Sequence, residues 1–174
     1  MNKWDIEIKE ATDLDTEKLA SFASRAFLDA YSGTMNGVDM DSYISKSFNK
    51  RVLLSQILAP DMIFHIAWQH DEIIGYTKLR WDRQRPELIG YKAIELERIY
   101  VAARHYRTGL GSVLLNHALE FSRHRKFEML WLAVWQNNER ALFFYKKAGL
   151  EIFGVQEFTV GTIINNDFVL KIKL

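Results

Sequence analysis

The chain has 174 residues, 48% of them hydrophobic and 26% charged, with two prolines and no cysteine, which suits one domain with a real core and argues against disorder. The missing cysteines exclude disulfides, thiolate metal sites, iron–sulfur clusters and a cysteine nucleophile, and fit a reducing compartment. A net charge of +1 gives no global reason to expect nucleic acid or an anionic membrane as a partner.

Residues 1–10 lack the apolar core of a secretory signal, and no apolar run approaches the length of a membrane span. Residues 4–9 place Trp4, Ile6 and Ile8 in the alternation of a half-buried strand. Thr12 with Asp15 resembles a capping box. Leu19, Phe22, Ala23, Ala26, Phe27 and Ala30 then recur at helical spacing, so a long helix is expected from near Asp13 until Gly33 and Gly37 break it. Tyr43, Ile44, Ser47 and Phe48 suggest a short helix. Leu54, Ile57 and Leu58 suggest another, stopped by Pro60. Residues 62–68 and 73–81 flank His70-Asp71-Glu72 as a hairpin, and a charged loop covers 82–90. Then come a strand over 93–101, a helix over 110–121, a strand over 129–135 and a helix over 138–148 ended by Gly149. Strands over 152–160 and 167–173 close the chain. This order predicts a single α/β sheet domain covering 1–174, neither a Rossmann repeat nor a barrel.

Charge is segregated along this order. Residues 1–45 carry four basic and nine acidic side chains, whereas residues 98–126 carry six basic ones against Glu120 alone.

Three segments carry chemistry. Between the strand 93–101 and the helix 110–121 lies Arg104-His105-Tyr106-Arg107-Thr108-Gly109-Leu110-Gly111-Ser112. Two glycines let the backbone approach a bulky anion, the helix N-terminus adds partial positive charge, and Arg104 and Arg107 can add charge-assisted hydrogen bonds. No Lys-Ser/Thr follows the glycines, and Leu114 stands where a dinucleotide fingerprint has its third glycine, so the loop is neither of those motifs. The strand before it holds Glu95 and Glu97, which strict alternation places on one face with Ile99. A mid-strand carboxylate is either ion-paired, here with Arg98 or Lys92, or a general base. Asn138 can cap the helix 138–148, whose inward face holds Ala141, Phe144, Tyr145 and Ala148. The Tyr145 phenol is either tethered in the core or a proton donor to a leaving thiolate. Trp131 and Trp135 share a strand face as core or pocket wall. The five histidines show no metal-site spacing on a common helix, so no metal is expected. His117 reads as packing, and Arg123-His124-Arg125-Lys126 as a basic helix end complementing the dipole.

In this order the three segments resemble the GNAT superfamily of acetyl-CoA-dependent N-acetyltransferases. Gly109 and Gly111 match the family loop [RQ]-x-x-G-x-[GA], and Val101 closes the strand before it. Tyr106 departs from the family's Arg or Gln. Asn138, Ala141, Phe144, Tyr145, Gly149 and Leu150 match N-x-x-A-x-x-[FL]-Y-x-x-x-G-[FL]. The resemblance implies a mixed, mostly antiparallel sheet of about seven strands flanked by helices, split in a V between its fourth and fifth strands. Acetyl-CoA would be the acyl donor. Its pantetheine arm would lie along Ile99, Tyr100 and Val101, and its diphosphate on Tyr106, Arg107, Thr108, Gly109, Leu110, Gly111 and Ser112, with Asn138 also touching it. Glu97, directly or through water, would deprotonate the acceptor amine, with Glu95 left open as the alternative, and Tyr145 would protonate the thiolate.

A narrower likeness, to PaiA-type polyamine N-acetyltransferases, rests on Ala26-Phe27-Leu28-Asp29-Ala30-Tyr31, Asp41-Ser42-Tyr43-Ile44, Gly75-Tyr76-Thr77-Lys78-Leu79 and residues 95–101. It implies a small-molecule amine such as spermidine or spermine as acceptor, met by Asp29, Tyr31, Asp41 and Trp135. It further implies a cytoplasmic protein, compatible with a homodimer, that engages neither nucleic acid nor membrane. Acetylation of a protein N-terminus or an antibiotic, and CoA sensing without turnover, stand as alternatives.

Overall fold

Period-two apolar runs build the strands: β1 (Ile6–Glu10), β2 (Met62–Gln69), β3 (Glu72–Arg80), β4 (Ala93–Val101), β5 (Met129–Trp135), β6 (Glu151–Val160) and β7 (Ile163–Lys173). The α-helices are α1 (Thr16–Tyr31), α2 (Gly37–Ser47), α3 (Lys50–Ile57), α4 (Leu110–His124) and α5 (Glu139–Lys147). These come from a computed structural model that describes residues 5–31, 33, 37–160 and 163–174. Trp4, the expected start of the first strand, lies outside the described residues.

Local chemistry sets the helix ends. The Thr12 N–H donates to Asp15 Oδ2 at 2.8 Å, and a short 3-10 turn leads into α1. α2 begins at Gly37, earlier than the apolar residues from Tyr43 suggest. Asn49 caps α3, its side chain accepting from the Val52 N–H at 3.0 Å.

The seven strands form one sheet in the order β1-β2-β3-β4-β5-β7-β6. Neighbours pair antiparallel except β4 and β5, which α4 joins as a parallel crossover. That pairing spans only Ala93–Met129, Ile94–Leu130 and Glu95–Trp131. Beyond it β4 stays with β3 to Val101, and β5 stays with β7 to Trp135. The two half-sheets therefore diverge, and the expected V-shaped split lies between the fourth and fifth strands.

A bulge in β4 decides which side chains meet in the split. Lys78 pairs with Arg98 but Leu79 with Leu96, so Glu97 is the extra residue. Before the bulge, Ile94 and Leu96 pack toward α4; after it, Ile99 and Val101 do. Glu95, Glu97, Arg98 and Tyr100 are thereby gathered on the opposite face, under α1 and α2. The strict alternation that groups Ile99 with the two glutamates is corrected by this extra residue. One core lies between the sheet and α4 and α5, and the other is formed with α1, α2 and α3 around Leu19, Phe27, Leu53, Phe64 and Tyr76.

Candidate active site

The split opens into a cleft of about 880 Å³, within the range of small-molecule sites. On its α4 face, Gly109 caps α4 at φ 98°, a left-handed conformation that favours glycine. A Cβ at Gly75 would stand 2.8 Å from Leu114 and 2.9 Å from the Tyr100 carbonyl, so this glycine lets α4 seat closely on β3. Gly109 and Gly111 differ from it. A Cβ on Gly109 would meet nothing within 4 Å, and one on Gly111 only Phe144 at 3.7 Å. Packing does not demand bareness at Gly111. The loop presents open backbone at a helix N-terminus, which suits the diphosphate of an acyl-CoA.

Ile99, Tyr100, Val101, Tyr106, Arg107 and Ser112 line the cleft with these two glycines. Leu110 is buried instead, against Ala67, Ile74 and Leu114, and anchors the first turn of α4. Thr108 is absent from the lining; its hydroxyl donates to the His105 carbonyl at 2.7 Å and holds the loop. Arg104 turns away to Glu72, at 2.5 Å, and lines a separate hollow. The Tyr106 ring carries the Arg140 guanidinium at 4.2 Å, and both line the cleft. Asn138 also lines it, while its side chain accepts from the Ala141 N–H at 3.1 Å to cap α5. Tyr145 reaches the cleft from α5, and burial raises its phenol well above the ordinary value, keeping the proton on at neutral pH.

The opposite face is built of charges. Lys78, fully buried, sits 2.5 Å from Glu97 Oε2, and Arg80 approaches Glu97 Oε1 at 3.5 Å. Glu97 is ion-paired by Lys78 and Arg80 of the neighbouring strand, and Arg98, one of the two partners expected from sequence, adds its charge. Burial works to raise the Glu97 carboxyl, but Lys78, Arg98 and Arg80 outweigh it and hold Glu97 below its ordinary range. Glu95, two residues away, goes the other way. It is 5% exposed, Arg83 comes no closer than 3.9 Å, and burial together with the Glu97 charge pushes it up to about 7. Both glutamates line the cleft.

Tyr31 and Trp135 also line it. Burial, with Tyr43 and Asp167 nearby, pushes Tyr31 up to about 12. Asp29 and Asp41 do not line the cleft: both are exposed, and Asp29 borders the separate hollow near Arg104. Arg80, Arg140 and Asp167 are cleft or near-cleft residues that the motifs did not mark, and Lys78 entered only within the stretch 75–79, with no role assigned to it. Asp167 lies within β7, between Asn166 and Phe168, and no motif singles it out.

Away from the cleft, the His65 and His117 rings meet edge to face at 4.6 Å between β2 and α4, in a packing role. Among the described residues no group of His, Cys, Asp and Glu could hold a metal ion. Nor is any described helix long and apolar enough to cross a membrane.

Comparison with known proteins places this geometry. Residues 24–150 match the model of the Acetyltransferase (GNAT) family. The chain is 30% identical, over 95% of its length and 96% of the other's, to the "Uncharacterized N-acetyltransferase in pepI 3'region" of Lactobacillus delbrueckii subsp. lactis. It is 26% identical to the Spermidine N(1)-acetyltransferase of Thermoplasma acidophilum, over 97% of each chain. Its fold is similar to the crystal structure of PaiA N-acetyltransferase from Thermoplasma acidophilum in complex with coenzyme A, with a TM-score of 0.80 and 24% identity, covering 97% of this chain and 99% of that one.

Proposed function

The chain belongs to the GNAT family of acetyltransferases and is an acetyl-CoA-dependent N-acetyltransferase; on that premise we propose that its acceptor is a polycationic primary amine such as spermidine. The observation that carries the proposal is the two-sided split: bare backbone and a helix N-terminus on one face, buried carboxylates on the other. The spermidine acetyltransferase relative supports it.

Acetyl-CoA supplies an activated acyl group as a thioester. The protein's own residues do the rest. Gly109, Gly111 and the first turn of α4 receive the diphosphate with Arg107. Arg140, over the Tyr106 ring, supplies the guanidinium that the family loop takes from the residue Tyr106 replaces.

An alkylamine is protonated at neutral pH and must lose a proton before it attacks. Glu95, poised near 7 and desolvated, takes that proton. Glu97 stays ionised in the grip of Lys78 and Arg80, which holds up the affinity of Glu95 for the proton and attracts the substrate cation. The amine nitrogen bonds to the acyl carbon and sheds its second proton to solvent, backbone N–H groups at the splayed end of β4 stabilise the oxyanion, and the C–S bond breaks. Tyr145 gives its proton to the departing sulfur. No cysteine is present to form an acyl-cysteine intermediate, which favours direct attack by the amine.

Thiol release by purified protein supplied with acetyl-CoA and a panel of amines, amino acids and peptides tests this. Turnover is expected with spermidine above neutral amines. Absence of CoA release with every amine would remove the proposal.

A further inference from the structure

The cleft's carboxylates are unequally served by cations. Glu97 has Lys78 and Arg80, and Glu95 has Arg83 at its margin. Asp167 also lines the cleft, is 7% exposed, and belongs to no ion pair among the described residues. Burial raises its carboxyl to about 6, and no neighbouring cation brings it back down. A buried carboxylate without a countercharge is costly, so such a group stays protonated or takes its cation from outside the chain.

Its position says what would bring that cation. Asp167 is paired across β5–β7 with Trp135, while Glu95 is paired across β4–β5 with Trp131, four residues back along β5. Asp167 and Val169 alternate with Phe168 and Leu170, which pack toward α4 and α5, so Asp167 faces the side of the sheet that holds Glu95. Along the strand the two carboxylate rows are roughly 13 Å apart. The wall near Asp167 is aromatic: Trp135, Tyr31, and Tyr43 with its ring against Phe158 at 6.0 Å. Such a wall suits an alkyl spacer and a cationic head.

We infer that Asp167 binds a second cationic group of the acceptor, separated by an alkyl spacer from the amine that reacts beside Glu95, and so selects polyamines over monoamines. This rests on the acetyl-transfer reading for where the reacting amine lies. A linear triamine spans the two carboxylate rows; a monoamine of similar girth cannot.

The test compares spermidine with n-butylamine in the full-length protein and in Asp167→Asn and Asp167→Glu. In Asp167→Asn the ratio of kcat/KM for spermidine over butylamine is expected to fall at least about tenfold, mainly through KM, with Asp167→Glu recovering part of it. Equal losses for both amines, or no loss in either variant, overturn the inference. Thermal melting and far-UV circular dichroism check that the variants fold, and Asp167→Glu keeps the charge if the amide variant does not. Calorimetric titration of spermidine separates the two readings. Binding that Asp167→Asn abolishes, without turnover by the parent protein, supports the subsite and defeats the catalytic reading. Turnover of spermidine indifferent to Asp167 does the reverse.

Discussion

The two faces of the split solve different problems with different materials. On the proposed reading the α4 face meets a constant partner; it is made from contiguous sequence: one loop, one helix end and two glycines whose side chains are hydrogen atoms. The opposite face is made of side chains from β3, β4 and β7 with helices packed over them, joined by ion pairs that cross strands. The first works through backbone and tolerates variation in what surrounds it. The second works through charge balance, where each carboxylate is defined by which cations reach it. Glu95 and Glu97 make this plain, since the same side chain two residues apart is driven in opposite directions.

The contrast can be broken at several points. The largest effect is expected from Glu95→Gln, which should lower kcat/KM by about 10²- to 10⁴-fold. With the carboxylate as the active form, the parent's rate should fall as pH drops through about 7, and a pH–rate profile should show that limb missing from the variant. Glu97→Ala should act on stability instead. It leaves Lys78 buried and unpaired, at a cost of about 3–5 kcal/mol by denaturant titration. Substituting Lys78→Met as well should recover part of that loss. If the single variant is as stable as the parent, the acceptor face is not held by charge balance.

Away from the cleft, α4 also covers a buried histidine, His65, packed against the half-buried His117. Burial, and secondarily His117, depresses His65 from 6.5 to about 4. The folded state therefore binds fewer protons than the unfolded chain in that window. Its contribution is complete above about pH 6.5 and disappears as pH falls toward 4, up to about 3 kcal/mol. His65→Gln should flatten the melting temperature against pH over that interval relative to the parent, with Phe121 and His117 as the neighbours left behind. The smallest effect is expected from Arg140→Ala: a rise of about five- to tenfold in KM for acetyl-CoA, from about 1 kcal/mol of lost contact. An unchanged KM would show the Tyr106 stack to be ornamental, with the loop backbone sufficient.

What could be read from sequence follows the same division. The bounds of β4 and β5 and the loop around Gly109 were legible because short-range periodicity and a local motif specify them. The acceptor face was not, because it depends on register. Nothing local marks Glu97 as the extra residue of a bulge, so Ile99 was placed on the wrong face. The partner of Glu97 could only be found once Lys78 was known to lie beside Arg98. Asp29 and Asp41 drew attention as acidic residues in an acidic stretch, yet both are solvent-facing. The carboxylate that does reach the cleft, Asp167, lies far along the chain in a segment with no charge pattern to announce it. Tyr106 looked like a loss until Arg140 was seen against it from another helix.

The bulge at Glu97 also bears on how such a protein can change over time. Point substitutions on the acceptor face alter one contact and leave the acyl-donor side alone. Deleting a single residue between Leu96 and Ile99 would remove the bulge and restore strict alternation along β4. Ile99 and Val101 would keep facing α4 with Ile94 and Leu96, and the opposite face would lose one of its two consecutive charged side chains. Length can therefore change at the bulge without disturbing the side behind α4, whereas a residue lost elsewhere in the strand would turn over the side chains beyond it.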